Sequence, residues 1–244
     1  MKLERIIGLR NNKTIYREGD KCIKVFDSDF SKANVLNEAL NQAKVEQVGL
    51  NVPKIKEVST VDGKWAIVSD YINGKPLSYL MSEKTEKLEE YLNLFVDLHI
   101  SVLSKNCDLV TNKSDKLRRL INIANINLTT KFQLTSFLNS VSDENNICHG
   151  DFHPSNIVIT DNDEVFVLDW SHVSRGNKNI DVVTTYLKFY MNKENELAEK
   201  YLNLYCDKTG FEKEEILKFV PVVAASLSTK ASKEEQQFLL SLIK

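Results

Sequence analysis

The chain has 244 residues, 42% of them apolar and 27% charged, and its 32 Lys and Arg against 34 Asp and Glu leave a formal charge of −2. A globular chain of this length buries roughly 70–75% of its unfolded surface, so a core needs no disulfide or metal staple, and the composition excludes a disordered or fibrous chain. With no basic stripe the main source of nucleic-acid affinity is missing, and the longest apolar run, Phe219 to Ala225 with Pro221 inside it, is far short of the roughly 20 residues of a membrane span. Neither a nucleic-acid nor a membrane partner is expected.

The first seventy residues read as short strands around one helix. Residues 14–18 and 21–26 flank a Gly19-Asp20 turn, and residues 54–61 and 64–72 flank Asp62-Gly63, a strong hairpin signal. Two hairpins imply an antiparallel sheet. Between them Ser31 is placed to cap a helix whose apolar positions Val35, Leu36, Ala39, Ala43 and Val48 recur at three and four residues and end at Gly49. Within the strand Cys22 to Phe26, Lys24 shares a face with Cys22 and Phe26, where a lone cation needs a partner.

After Gly74 and Pro76 the period changes from two to near 3.6. Leu88, Tyr91, Leu92, Phe95, Leu98 and Val102 form one stripe, Phe132, Phe137, Leu138 and Val141 another, and Leu197, Tyr201, Leu202 and Tyr205 a third, all expected to be core. One strand pair, 157–161 and 164–169, interrupts this helical half. The expected organisation is a sheet-rich lobe, 1–73, and a helical lobe, 74–244, with a cleft between them. Cys22, Cys107, Cys148 and Cys206 form no C-x-x-C pair, and charges occupy the opening Met1-Lys2-Leu3-Glu4-Arg5 where a secretory signal needs its apolar stretch; a cytoplasmic location with reduced thiols is expected.

The polar residues that carry chemistry concentrate in Cys148-His149-Gly150-Asp151-Phe152-His153-Pro154-Ser155-Asn156 and in Leu168-Asp169-Trp170. A two-residue Asn162-Asp163 loop places Asn156 directly opposite Asp169 on one side of the ladder, an amide oxygen and a carboxylate converging on one point. Few protein oxygens completed by phosphate oxygens is how Mg²⁺ is held in nucleotide sites. Two other readings compete. His149, Asp151 and His153 form H-x-D-x-H, which suits a transition-metal hydrolase, although only His99 and His172 remain to complete the ligands. Alternatively a buried His and Asp simply tie down a loop.

H-G-D-x-x-x-x-N followed by a strand pair and Asp resembles the catalytic and metal-binding segments of the aminoglycoside phosphotransferase and choline kinase-like family, and Ile180-Asp181-Val182-Val183 resembles the family's following helix start. The resemblance implies an α+β, protein-kinase-like two-lobed fold, with a small antiparallel-sheet N-lobe carrying one helix and a larger, mainly helical C-lobe. It implies an enzyme that transfers the γ-phosphoryl group of ATP to a hydroxyl of a small molecule, with Mg²⁺. Carried over residue by residue, Asp151 orients the acceptor hydroxyl and takes its proton, and Asn156 and Asp169 hold Mg²⁺. Lys24 contacts the nucleotide phosphates and pairs with Glu38. The backbone C=O of Asp70 and N–H of Ile72 bond adenine, His149 braces the catalytic loop, and Asp181 anchors it through backbone hydrogen bonds.

One segment departs from the pattern. Where kinases cover the phosphates with a glycine-rich turn, this chain reads Gly8-Leu9-Arg10-Asn11-Asn12-Lys13-Thr14. Asn11-Asn12 can still turn tightly, and Lys13 or Arg10 can add charge. The degenerate turn keeps open a catalytically inactive nucleotide-binding or scaffold protein of the same fold. An atypical protein kinase is disfavoured: Gly150 stands where protein kinases carry Arg, Trp170-Ser171 follows Asp169 in place of Phe-Gly, and few residues separate Asp169 from Asp181. Near-balanced charge beyond Trp170 gives no acidic bias toward a polycationic acceptor.

Overall fold

The computed structural model describes residues 3, 5–10, 12–109, 111–142 and 144–243. In chain order these form β1 (Arg5–Arg10), β2 (Lys13–Glu18), β3 (Lys21–Phe26), α1 (Lys32–Glu46), β4 (Ile55–Val61), β5 (Lys64–Asp70), β6 (Gly74–Pro76), α2 (Leu77–Glu83), α3 (Leu88–Leu103), α4 (Lys113–Ile123) and α5 (Leu128–Ser140). They continue with β7 (Asn146–Cys148), β8 (Ile157–Thr160), β9 (Val165–Val167), β10 (Ser174–Gly176), α6 (Lys178–Met191), α7 (Asn195–Thr209), α8 (Lys213–Leu217), α9 (Val220–Ser228) and α10 (Lys233–Ser241). Contacts divide the chain into two compact units, one of residues Met1–Glu86 with Pro154–His172 and one of Lys87–His153 with Val173–Lys244.

In the first unit a five-stranded antiparallel sheet runs β1-β2-β3-β5-β4. Its hairpins turn where the sequence predicts, with Gly19, Asp62 and Gly63 at positive φ. Strand alternation sends Ile23, Val25, Ala66 and Val68 to one face and Phe26 and Ile67 to the other, where α1 covers them with Val35 and Ala39. Ser31 caps α1 as expected, its Oγ accepting from Asn34 N at 3.2 Å. The Gly74–Pro76 segment, read from sequence as a connector, is strand β6 and pairs with β8, which draws the β8–β9 hairpin into this unit. Gly74 is required there because a Cβ would stand 2.3 Å from Ile159 O.

The β8–β9 loop corrects the expected register. Asp163 N donates to Thr160 O (3.0 Å) and Thr160 N to Glu164 O (2.9 Å), and Asp163 has φ 60°, so the loop has three residues, Asp161 to Asp163, not two. Ile157 therefore pairs with Val167, and Leu168 N donates to Asn156 O at 2.7 Å. Asn156 lies opposite Leu168, and Asp169 falls one residue beyond the position that direct opposition requires.

The second unit is built from helices around Phe95, Phe152, Phe189 and Tyr201, whose rings pack at centroid distances of 4.9 to 5.8 Å. Of the predicted stripes, Tyr91, Leu92, Phe95 and Val102 of α3 and Tyr201, Leu202 and Tyr205 of α7 are buried, while Leu88, Leu98 and Leu197 at the edges are half-buried. The α5 stripe is corrected: Leu134 and Leu138 are buried, while Phe132 is 73% exposed. Among the described residues no helix is long and apolar enough to cross a membrane. Gly74→Ala is expected to destabilise the fold by about 1–3 kcal/mol through overpacking against Ile159; a thermal melt checks it, and an unchanged midpoint would show that β6 yields at no cost.

Candidate active site

In the first unit the site begins with sheet parity. Lys24 on β3 faces Ile15 on β2, and Lys13 lies two residues from Ile15, so both lysines share the sheet face that α1 covers. Lys24 Nζ meets Glu38 Oε1 at 2.5 Å and stands 3.8 Å from Asp169 Oδ1. Lys13 Nζ is 3.5 Å from the same Glu38 oxygen and 3.7 Å from the same Asp169 oxygen. Two ammoniums and two carboxylates thus form a balanced tetrad, with Lys13 and Glu38 both buried. Burial disfavours the Lys24 ammonium, but Glu38 and Asp169 outweigh it and hold the group above the ordinary lysine value. Lys13 sits below that value, through burial first and the adjacent charge of Lys24 second.

Asp169 reaches this tetrad from a left-handed backbone conformation, φ 57°, that ends the hairpin strand. Such a conformation is costly for a residue with a Cβ and is held by its surroundings: Trp170, next in the chain, is fully buried and its Nε1 donates to Val167 O at 2.9 Å. Asn156 closes the turn Pro154–Asn156 just before β8, tied through its carbonyl to Leu168. Asp70 ends β5, the strand that pairs with β3, and faces Lys21 three residues from Lys24; Ile72 lies two residues beyond the strand. The Asp70 carboxylate accepts from Lys54 N at 3.1 Å and pairs with Lys56 at 2.9 Å, while Tyr71 N donates to Asp20 O at 2.7 Å. Asn11 lies outside the described residues, and Arg10 pairs with Lys13, so only two residues join β1 to β2.

The second unit holds Asp151, and one stripe of α6 supports it. Asp181, Thr185 and Lys188 stand at i, i+4 and i+7 on that helix, which Asn177 caps by accepting from Asn179 N at 2.9 Å. The Asp181 carboxylate accepts from His149 N (2.7 Å) and Gly150 N (2.9 Å), Thr185 Oγ1 donates to Phe152 O (3.0 Å), and Lys188 Nζ pairs with the Asp151 carboxylate. Gly150 has φ 79°, a conformation open to glycine and costly for the arginine of protein kinases. His149 is buried and its Nδ1 accepts from Asp151 N at 3.2 Å. The backbone hydrogen bonds and the histidine brace that the resemblance implies are therefore present.

Asp181 is itself fully buried. Its partners include Lys113 Nζ at 3.1 Å and His99 Nε2 at 3.4 Å; His99 stacks on Phe152 at 4.0 Å, and its Nδ1 accepts from Tyr201 at 2.8 Å. Burial pushes the carboxyl up, but Lys113 and the His99 hydrogen bond outweigh it and keep Asp181 ionised far below the usual carboxylate range. Burial also lowers His99, outweighing the opposing pull of the Asp181 hydrogen bond and charge.

Sequence reasoning did not place Lys188, and named Lys13 only as extra charge on the turn. Both carried a signal: Lys188 repeats the helix face of Asp181 seven residues on, and Lys13 repeats the strand face of Lys24 through its neighbour Ile15.

Residues 126–217 match the sequence model of the phosphotransferase enzyme family. Among solved structures, a thermostable mutant of aminoglycoside phosphotransferase APH(4)-Ia in its apo form superposes with a TM-score of 0.70 at 11% identity, over 99% of this chain and 90% of that one. An ADP-bound aminoglycoside phosphotransferase APH(2'')-Ib gives 0.62 at 15% identity, over 100% and 93%. Choline kinase LicA from Streptococcus pneumoniae gives 0.56 at 16% identity, over 100% and 93%. Among curated proteins no sequence matches. The family resemblance and the kinase-like α+β fold are borne out, the latter by structures whose low identity speaks for the fold alone.

The Asp181 carboxylate makes stability acid-sensitive. An unfolded Asp takes its proton near pH 3.9, while the folded group stays ionised well below that, so stability is fully present above the unfolded value and falls as pH drops, by up to about 1.4 kcal/mol per pH unit. Asp181→Asn is expected to remove this contribution. Urea unfolding at pH 5 and pH 3 checks it: an equal loss of stability in the variant and the parent would refute the assignment.

Proposed function

We propose that this chain, whose residues 126–217 match the phosphotransferase enzyme family and whose fold is that of aminoglycoside and choline kinases, is a small-molecule kinase. It transfers the γ-phosphoryl group of ATP to a hydroxyl of a small molecule, in the cytoplasm. The observation that carries this reading is the Lys24 ammonium, held at 2.5 Å by Glu38 and standing 3.8 Å from Asp169 on a sheet face that it shares with Lys13. Such a half-buried, pre-aligned cation is prepared for an anion, and phosphoryl transfer consists largely of positioning and charge neutralisation.

The division of labour follows the chain. Lys24, kept charged and oriented by Glu38, contacts the nucleotide phosphates, and the main chain at Asp70 and Ile72 bonds the base. The Asn156 amide and Asp169 carboxylate are hard oxygen donors of the type Mg²⁺ takes, and two such protein ligands leave coordination positions for phosphate oxygens. When bound, the ion neutralises charge on the phosphates. Asp151 is oriented from two sides, its N–H on His149 and its carboxylate on Lys188. In that orientation the carboxylate takes the acceptor hydroxyl's hydrogen bond, and then its proton as the oxygen attacks phosphorus.

The short segment between Asp169 and Asp181 is occupied by the turn Trp170–His172 and by β10, which pairs with β7. It offers no long loop on which a protein substrate docks, which favours a small acceptor.

Asp151→Asn is expected to lower kcat by roughly 10²–10⁴-fold with nucleotide affinity kept; unchanged turnover would remove Asp151 from its role. Asp169→Ala is expected to abolish the Mg²⁺ dependence of ATP binding in a calorimetric titration. If instead the parent binds ATP equally with and without Mg²⁺, Asn156 and Asp169 do not hold the ion.

A further inference from the structure

Three of the four charges that meet in the first unit have a place in the reaction, and Lys13 has none. Its backbone is held on both sides, by Arg10 of β1 and Phe26 of β3, and its side chain is buried. A buried ammonium needs counter-charge. The two carboxylates that supply it are only loosely engaged: Nζ stands 3.5 Å from Glu38 Oε1 and 3.7 Å from Asp169 Oδ1, longer than the roughly 2.7–2.9 Å of a charge-assisted hydrogen bond, whereas Lys24 takes the same Glu38 oxygen at 2.5 Å. Lys13 is thus the more weakly tethered of the two cations, and its flexible four-carbon stem lets the ammonium move while the backbone stays fixed.

Charge and position both give it a use. Lys24 alone against Glu38 and Asp169 leaves negative charge in excess where a polyanion has to enter, and Lys13 cancels that excess. The sheet register then sets an order along β3. On the kinase reading the base is bonded at Asp70, which faces Lys21, and Lys24 stands three residues further on, about 10 Å along the strand. Lys13 faces Phe26, two residues beyond Lys24 in the same direction, or about another 7 Å. A strand lysine in kinases meets the α- and β-phosphates, so a cation anchored beyond it lies toward the end of the phosphate chain.

We propose that Lys13 is a second nucleotide-binding cation that takes the terminal phosphates of ATP, leaving Lys24 for those nearer the ribose. The proposal rests on the kinase reading given above. In the free chain the Lys13 ammonium leans on Glu38 and Asp169; when ATP binds, it exchanges these carboxylates for phosphate oxygens.

The test is a calorimetric series of adenosine, AMP, ADP and ATP, each with Mg²⁺, on the parent, Lys13→Gln and Lys13→Arg, with tripolyphosphate as a probe that lacks a base. Lys13→Gln is expected to weaken ATP by at least about tenfold while adenosine and AMP stay within about twofold, and Lys13→Arg, which keeps the charge, to recover most of the loss. A counter-ion with a structural role alone weakens every ligand alike. That pattern, or unchanged ATP affinity in Lys13→Gln, or no recovery in Lys13→Arg, overturns the proposal and leaves the kinase reading standing. Should Lys13→Gln not fold, acetylation of the parent read by mass spectrometry probes the same contact: ATP is expected to protect Lys13 and AMP to leave it as reactive as in the free chain, and equal protection by both, or by neither, overturns the proposal. Tripolyphosphate binding that depends on Lys13, in a chain that binds neither AMP nor ATP, supports the cation's role and counts against the kinase reading instead.

Discussion

A buried carboxylate, Asp181, is the constraint on which the catalytic segment depends. An ionised group without exposure is tolerated only when every lone pair is used. Here two backbone amides, a lysine and a histidine use them, and the two amides belong to consecutive residues, His149 and Gly150. Fixing consecutive amides on one carboxylate sets the path of the backbone into Asp151, and the positive φ of Gly150 is the conformation that lets it follow that path. The remaining contacts of the α6 stripe, Thr185 on Phe152 and Lys188 on Asp151, extend the same support by one and two helical turns. Breaking such a buried pair from one side typically costs about 3–5 kcal/mol, enough to make Asp181 a residue on which stability depends.

The first unit solves a related problem with four charges. Lysines on a sheet face covered by a helix have to be neutralised, and Glu38 and Asp169 do this while remaining adjustable, since each acid is shared by two ammoniums. Lys13, at the first position of β2, brings a full charge to the same face as Lys24.

Much of this was legible in one dimension because it is periodic. Alternation over 14–18 and 21–26 placed Lys24 on an apolar face, and Asp62-Gly63 announced a hairpin, since a two-residue turn demands φ above zero and few residues accept it. Helical stripes in α3 and α7 were legible for the same reason. Phe132 was misjudged because α5 is only weakly amphipathic: apolar residues surround it, and sequence alone did not show which side finds a partner. The β8–β9 register escaped for a sharper reason, as Asp161, Asn162 and Asp163 all suit turns, and choosing two or three of them shifts every facing pair by one.

By itself, then, the amino-acid order determined the local conformations and the chemical inventory: which segments coil or extend, and that a His-Gly-Asp segment, an asparagine and a later aspartate recur at the spacing of phosphotransferases. Such features depend on neighbours within a few residues and survive without knowledge of the rest of the chain. Tertiary structure decided the partnerships. That Lys188 grips Asp151, that Lys113 and His99 meet on Asp181, and that Lys13 joins Lys24 at Glu38 and Asp169 are contacts between distant positions. Their free energy comes from removing charges from water together, which only the folded arrangement accomplishes.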